Sequence, residues 1–240
     1  MSPAILTPQN IKEFNVRFAK AHPVEVIRWA VQVFGSELAL TSSFGAKSAG
    51  IIHMAIQADP KINIRFVDTG LLFPETYQFL EELKRRFALN LTTFRTRLDV
   101  EQFKRDHAHL PIGHPDFCCS EWKVEATKRA LEGLRCWITG ISRSDSKTRA
   151  KTPFIERLTN GLVKVAPLAA WTAKDLDAYM TEHQLPYHPL WSQGYTSIGC
   201  YPCTKRPVDP NDPRSGRWPG QEKTECGIHD ISKPSFDVDE

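Results

Sequence analysis

Two thiols stand side by side in "PDFCCSEWK", where Cys118 and Cys119 precede Lys123, and two more stand three positions apart in "GCYPCTKRP", where Cys200 and Cys203 form a C-x-x-C pair. Neighbouring cysteines bond to each other only through a strained ring, and in the reducing compartment expected of this chain all four thiols are read as ligands before cross-links. Structural zinc usually draws on two C-x-x-C-like knuckles around one small ion, which a vicinal pair fits poorly. A cuboidal four-iron four-sulfur (4Fe-4S) cluster has separate corners, and side chains diverging from adjacent residues can reach different irons. Spacing alone leaves iron-sulfur ligation, zinc ligation and a redox dithiol all open. A cysteine of another kind, Cys226, lies in "ECGIH" between Glu225 and Gly227, with His229 close by. A thiol on a loose, Gly-containing tail can swing between a pocket and solvent, as a nucleophile must if a second protein is later to attack it, and nearby cations would raise its reactivity. Cys136 opens the apolar "CWITGI" and reads as a buried, inert thiol.

Other stretches carry anion chemistry. In "TSSFGAKSAG", Ser42, Ser43, Phe44 and Gly45 form a turn whose hydroxyls and helix-start amides attract anions, although it is neither a Walker A loop nor a dinucleotide fingerprint. In "FVDTGLLFPET", Asp68, Thr69 and Gly70 leave a second strand at the same sheet edge, where parallel sheets bind their ligands. "GISRSDSKTRAK" adds Arg143, Lys147, Arg149 and Lys151, and "DPRSGRWPG" adds Arg214 and Arg217. Guanidinium forks match phosphate and sulfate oxygens, so this set predicts a small, strongly anionic substrate. Lys123, about one helical turn beyond Cys119, would set a cation beside the ligand thiols. His22, His53, His107, His109, His114, His183 and His188 have no metal-ligand spacing with the cysteines.

The elements that must position these residues follow from hydrophobic period. Apolar, β-branched runs ("ELALTSSF", "INIRFVDTG", "LNLTTFR", "CWITGIS") alternate with helical segments ("KSAGIIHMAIQA", "PETYQFLEELKRRFA", "SEWKVEATKRALEG"). That alternation predicts an α/β fold with a mostly parallel sheet covered by helices on both faces. The expected organisation is a helical lead-in over 1–35, an α/β catalytic domain over 36–184 with a hairpin turning at Asn160-Gly161, and a mobile Pro- and Gly-rich tail over 185–240. At 240 residues and 41% apolar, the chain has room for one substantial core. Its 31 basic and 28 acidic residues are too evenly balanced for a nucleic-acid-coating protein. The N-terminus has no secretory pattern and no apolar run reaches membrane-spanning length, so a cytoplasmic protein is expected.

In order along the chain, "TSSFGAKSAGIIHMA", "FVDTGLLFPETY", "CCSEWK", "TGISRSDSKTR", "PYHPLWSQGYTSIGCYPC" and "ECGIH" resemble the adenylyl sulfate and phosphoadenylyl sulfate reductase family from about residue 38 to 229. The resemblance implies a sheet akin to the adenine nucleotide alpha-hydrolase group and reduction of activated sulfate to sulfite, with thioredoxin or glutaredoxin as electron donor. It matches Cys118, Cys119, Cys200 and Cys203 to the ligands of a 4Fe-4S cluster in the adenylyl sulfate branch and Lys123 to a cluster-adjacent lysine. Cys226 matches the nucleophile, which passes through an S-sulfocysteine. Arg143 and Arg149 match an arginine-containing loop, and Arg214 and Arg217 the paired arginines of the tail. "SSFG" and "LFPET" look equally like the phosphoadenylyl branch, so a 3′-phosphorylated substrate is the alternative. No thioredoxin-like extension follows Glu240, so the reductant is expected to be a separate protein, and self-association into a homo-oligomer is compatible with the sequence. Two more distant readings are an ATP-using nucleotidyl transferase of the same fold, which would need a Ser-Gly-Gly-type loop, and a zinc module without catalysis.

Overall fold

The structure, a computed structural model, describes residues 6–97, 105, 113–229 and 231. His107, His109 and the outermost residues of the lead-in and tail lie outside the described residues. Two helices come first, α1 (Pro8–Phe18) and α2 (Pro23–Phe34), each with proline in its first turn, where no amide donor is needed. Thr7 and Asn10 close a capping box on α1, and the His22 side chain accepts from the Val24 amide at the start of α2. The lead-in is more than an appendage, because Val26, Ile27 and Ala30 of α2 are fully buried in the main core.

Strand β1 (Leu38–Ser42) feeds α3 (Ser48–Ala58), β2 (Ile64–Asp68) feeds α4 (Pro74–Phe87), and β3 (Leu91–Arg95) completes one half of the sheet. A helical path then runs through α5 (Pro115–Cys119), a π-helical turn (Ser120–Val124) and α6 (Glu125–Leu131) into β4 (Cys136–Thr139). The helix predicted from Ser120 therefore begins earlier and takes both vicinal cysteines with it. Beyond β4 come two short 3₁₀ turns (Arg143–Asp145 and Lys147–Arg149), the hairpin strands β5 (Ile155–Arg157) and β6 (Val163–Val165), and α7 (Ala173–Glu182).

The sheet order is β3-β2-β1-β4-β6-β5, parallel throughout except for β5 against β6. β1 pairs with β2 on one side and with β4 on the other, with Thr41 opposite Thr139. Connections leave β1 and β4 in opposite directions along the sheet, which opens a crevice beyond their carboxyl ends. The turn after β1 and the turns after β4 face each other there.

The segment after α7 has only short 3₁₀ turns, yet it is seated against this edge. The Tyr201 amide donates to the Leu71 carbonyl at 2.7 Å, Leu72 bridges to Cys200, and Lys223 pairs with Asp116 of α5. Cys226 is 8% exposed and packs with Cys203 and Trp218. The tail expected to be loose is docked in this structure because it brings its own apolar groups (Trp218, Ile228, Ile231) to bury.

Candidate active site

Two cavities meet at the crevice. The larger, about 470 Å³, lies in the size range of small-molecule sites. Its floor comes from Thr41 and Ser42 at the end of β1 with Ser43 and Gly45 beyond it, and from Thr139 at the end of β4 with Gly140 and Ser142 beyond it. Its cationic wall is Lys123, Arg149, Arg214 and Arg217, and Cys226 and His229 of the tail also line it. The smaller is lined by Cys118, Cys119, Cys200 and Cys203 together with Thr69, Leu71 and Trp122. Lys123, Arg217 and Trp218 line both.

Local physics explains the placement. The π-helical turn, in which the Glu125 amide reaches back to the Ser120 carbonyl, lets one helical path present Cys118 and Cys119 to the small cavity and Lys123 to both. The C-x-x-C pair is held by a 3₁₀ turn, with the Cys203 amide donating to the Cys200 carbonyl at 3.1 Å. Arg217 donates through Nε to the Cys203 carbonyl, and its guanidinium lies directly over Gly199. A Cβ at Gly199 would stand 2.4 Å from Arg217 Nη2, so the bare glycine is what lets the guanidinium lie there.

The thiols divide electrostatically. Burial pushes the Cys118 thiol up, and Cys119, Cys200 and Cys203 push it further. Burial likewise raises Cys119, to about 12. Cys226 moves the other way: burial would raise it, but Lys123, the Ile228 amide and Arg217 outweigh burial and hold it below its ordinary value. Burial would lower Lys123, and Cys200 and Cys226 raise it instead. Cys226 is thus the thiol whose surroundings favour the reactive thiolate.

The family model for a phosphoadenosine phosphosulfate reductase domain matches residues 37–206, more than half of the chain and all six strands of the sheet that builds the crevice. The chain belongs to the phosphoadenosine phosphosulfate reductase family. It is 39% identical over 215 residues to an adenosine 5′-phosphosulfate reductase of Streptomyces coelicolor, covering 87% of this chain and 89% of that one. To the adenosine 5′-phosphosulfate reductase of Lysinibacillus sphaericus it is 37% identical, covering 94% of this chain and 100% of the relative. The phosphoadenylyl-sulfate reductase structure from Candida auris superposes with a TM-score of 0.73 at 30% identity, covering 82% of this chain and 96% of that one. The Candida glabrata FMN adenylyltransferase structure, at 15% identity and a TM-score of 0.58 over 93% of this chain and 79% of that one, shares the fold. These likenesses agree with the α/β fold of the adenine nucleotide alpha-hydrolase kind.

Within this reductase, the chemistry of the donor set fits an iron-sulfur cluster. All four donors of the small cavity are sulfur, and no disulfide joins any of the six cysteines. Among the described residues no three His, Cys, Asp or Glu side chains converge as they would on a single ion.

Several residues singled out in the sequence do not line the large cavity. The Phe44 ring is fully buried, edge-on to Phe66 at 5.1 Å, so it supports the turn from below. Arg143 donates to the Thr152 carbonyl and lies over the Phe154 ring, because the first 3₁₀ turn after β4 points it outward. Asp68 is tied to the Gly70 amide, the Tyr77 hydroxyl and Arg95. Thr69 sits 3.3 Å from Cys200 Sγ, so the Asp68–Gly70 turn serves the cysteine side. Cys136 is fully buried at the start of β4, and burial raises its thiol. His188 is structural, with Nε2 3.0 Å from Thr76 Oγ1.

Sequence reasoning missed Trp137, Glu225 and His229. The Trp137 indole donates to Thr41 Oγ1 at 2.7 Å and lines the large cavity. Glu225 accepts from Arg149 through Nε and Nη2, at 2.9 and 2.8 Å. The signal for the last two was their adjacency to Cys226 in "ECGIH", a motif read for its thiol alone.

Proposed function

We propose that this chain reduces adenylyl sulfate to sulfite and AMP with two electrons from a thioredoxin- or glutaredoxin-class dithiol. The observation that carries the reading is one cavity shared by Cys226, Lys123, Arg149, Arg214, Arg217 and the hydroxyl-bearing turn after β1. The Cys226 thiolate attacks the sulfate sulfur, the bond from that sulfur to the bridging phosphate oxygen breaks, and AMP leaves with the bonding pair while S-sulfocysteine forms. Fixed cations beside the leaving phosphate stabilise the charge that develops there, as preorganised electrostatics do. A thiolate of the dithiol then attacks Cys226 Sγ, and sulfite departs with the sulfur–sulfur bonding pair. The second thiol resolves the mixed disulfide, which returns the Cys226 thiolate and leaves the dithiol oxidised.

Cys118, Cys119, Cys200 and Cys203 would hold the 4Fe-4S cluster. The bound cluster would supply a rigid cross-link and a local charge. Lys123, Arg217 and Trp218, shared by the two cavities, would carry that influence to the substrate. The bacterial relatives named adenosine 5′-phosphosulfate reductases support the substrate without a 3′-phosphate.

The test is intact-protein mass after incubation with adenylyl sulfate or its 3′-phosphorylated form in the absence of reductant, followed by mapping of the adduct. A sulfo group on Cys226 from adenylyl sulfate supports the reading, and the faster of the two substrates names the branch. Sulfite production undiminished in Cys226→Ser would sink it.

A further inference from the structure

Glu225 collects five donors. Ser146 Oγ donates at 3.2 Å and Thr148 Oγ1 at 3.0 Å, Arg149 donates twice, and Arg214 Nη2 donates at 3.3 Å. Arg149 is further braced by Asp145 at 3.0 Å, and Arg214 by the Thr224 carbonyl at 2.9 Å. Arg149, Arg214 and Cys226 line the large cavity and Glu225 does not. The carboxylate therefore grips the guanidinium groups from outside the space a substrate would fill, and it is not a resident competitor for that space. Arg149 and Arg214 also repel each other, and a carboxylate between them offsets that repulsion. Glu225 and Cys226 are separated by a single peptide unit, about 3.8 Å between α-carbons, so fixing one fixes the other.

We propose that Glu225 is a positioning residue that couples the nucleophile to its cations, so that docking of the tail and orientation of Arg149 and Arg214 toward the substrate are one event. This rests on the function proposed above and adds the device by which the site assembles. Ser146 and Thr148, on the loop after β4, are receptors for the tail, and they give the loop a reason to carry hydroxyls beside its cations. Breaking the contact leaves Cys226 chemically intact while separating it from an ordered cation pair.

The test uses the full chain with its metal content matched to wild type. Glu225→Gln keeps the shape and removes the charge, Glu225→Asp keeps the charge on a shorter arm, and Arg149→Lys removes the fork. The rate of sulfo-adduct formation on Cys226 at saturating adenylyl sulfate should fall roughly tenfold or more in Glu225→Gln, the scale of lost charged hydrogen bonds. Glu225→Asp should recover part of that loss. Adding Glu225→Gln to Arg149→Lys should cost much less than adding it to wild type, since contacting residues couple in a double-mutant cycle. Amide hydrogen exchange over 226–229 should quicken in Glu225→Gln with little change in the melting transition. Strictly additive losses, or exchange and adduct rates equal to wild type in Glu225→Gln, would overturn the proposal. If wild type forms no adduct, the proposed function fails, and the exchange measurement still judges the coupling.

Discussion

The imidazole of His229 lies flat on the indole of Trp137, with ring centroids 5.5 Å apart and planes 11° apart. This stack joins the tail to β4 at the centre of the sheet. Lys164 of β6 adds to it, lying 5.6 Å over the same indole and reaching the His229 carbonyl. Ile231 finishes the attachment among Leu131, Trp137 and Leu162.

Removing the ring contact should loosen the tail without unfolding the domain. Aromatic pairs contribute about 0.5–1.5 kcal/mol beyond their burial. His229→Ala should therefore slow sulfo-adduct formation on Cys226 by roughly two- to tenfold. Single-turnover mass spectrometry beside a melting curve checks this, and an unchanged adduct rate counts against tail docking through the stack.

The tail should also undock with acid, in two stages. Burial, with Arg149 and Lys164, keeps the His229 imidazole well below its ordinary value, so the docked ring stays neutral where an undocked one takes a proton. Docking stability is then present above the ordinary histidine value of about 6.5 and declines as pH falls below it. Burial would raise the Glu225 carboxyl, but Arg149, Arg214 and Thr148 outweigh it and hold it at about 2. That contribution is whole above the free carboxyl value of 4.5 and is lost as pH falls from there through about 2. The protection factors of residues 226–229, with exchange corrected for its intrinsic pH dependence, should fall first below pH 6.5 and again below 4.5; a flat profile removes both assignments.

Gly199 offers a steric probe of Arg217. A methyl group there would meet Arg217 Nη2 at 2.4 Å and Cζ at 2.8 Å, and the flexible guanidinium, not the backbone, would give way. Gly199→Ala should leave the melting transition close to wild type and raise KM for adenylyl sulfate by about tenfold, the scale of a charged hydrogen bond. Unchanged KM would mean that Arg217 serves only the cysteine side.

For the cluster, serine at Cys118, Cys119, Cys200 or Cys203 should each reduce bound iron and acid-labile sulfide, whereas Cys136→Ala should leave both at wild-type levels. Cys136 is buried at the head of β4, apart from the small cavity. Elemental analysis decides, and zinc without sulfide in the wild-type protein would reverse the donor-set argument.

Periodicity and motif order carried much of this molecule. The runs at 38–42, 64–68, 91–95 and 136–139 became parallel strands, and the hairpin turns at Asn160-Gly161. Arg143 and Arg149 stand six positions apart in one cationic run, and sequence gave no means of telling them apart. Only the two 3₁₀ turns send Arg149 into the cavity and Arg143 over Phe154. Glu225 stood beside Cys226 in the sequence, but its partners Ser146, Thr148 and Arg149 lie 76 to 79 residues earlier and no local pattern encodes that meeting. Phe44 occupies a turn that faces the cavity, but its backbone has a φ of 50° and its ring goes to the core.

Lys123, Arg217 and Trp218 form a wall common to the two cavities. Such a partition makes the compartments thermodynamically reciprocal. Whatever occupancy of the cysteine side does to nucleotide affinity, nucleotide must do in equal measure to retention of what the cysteines hold.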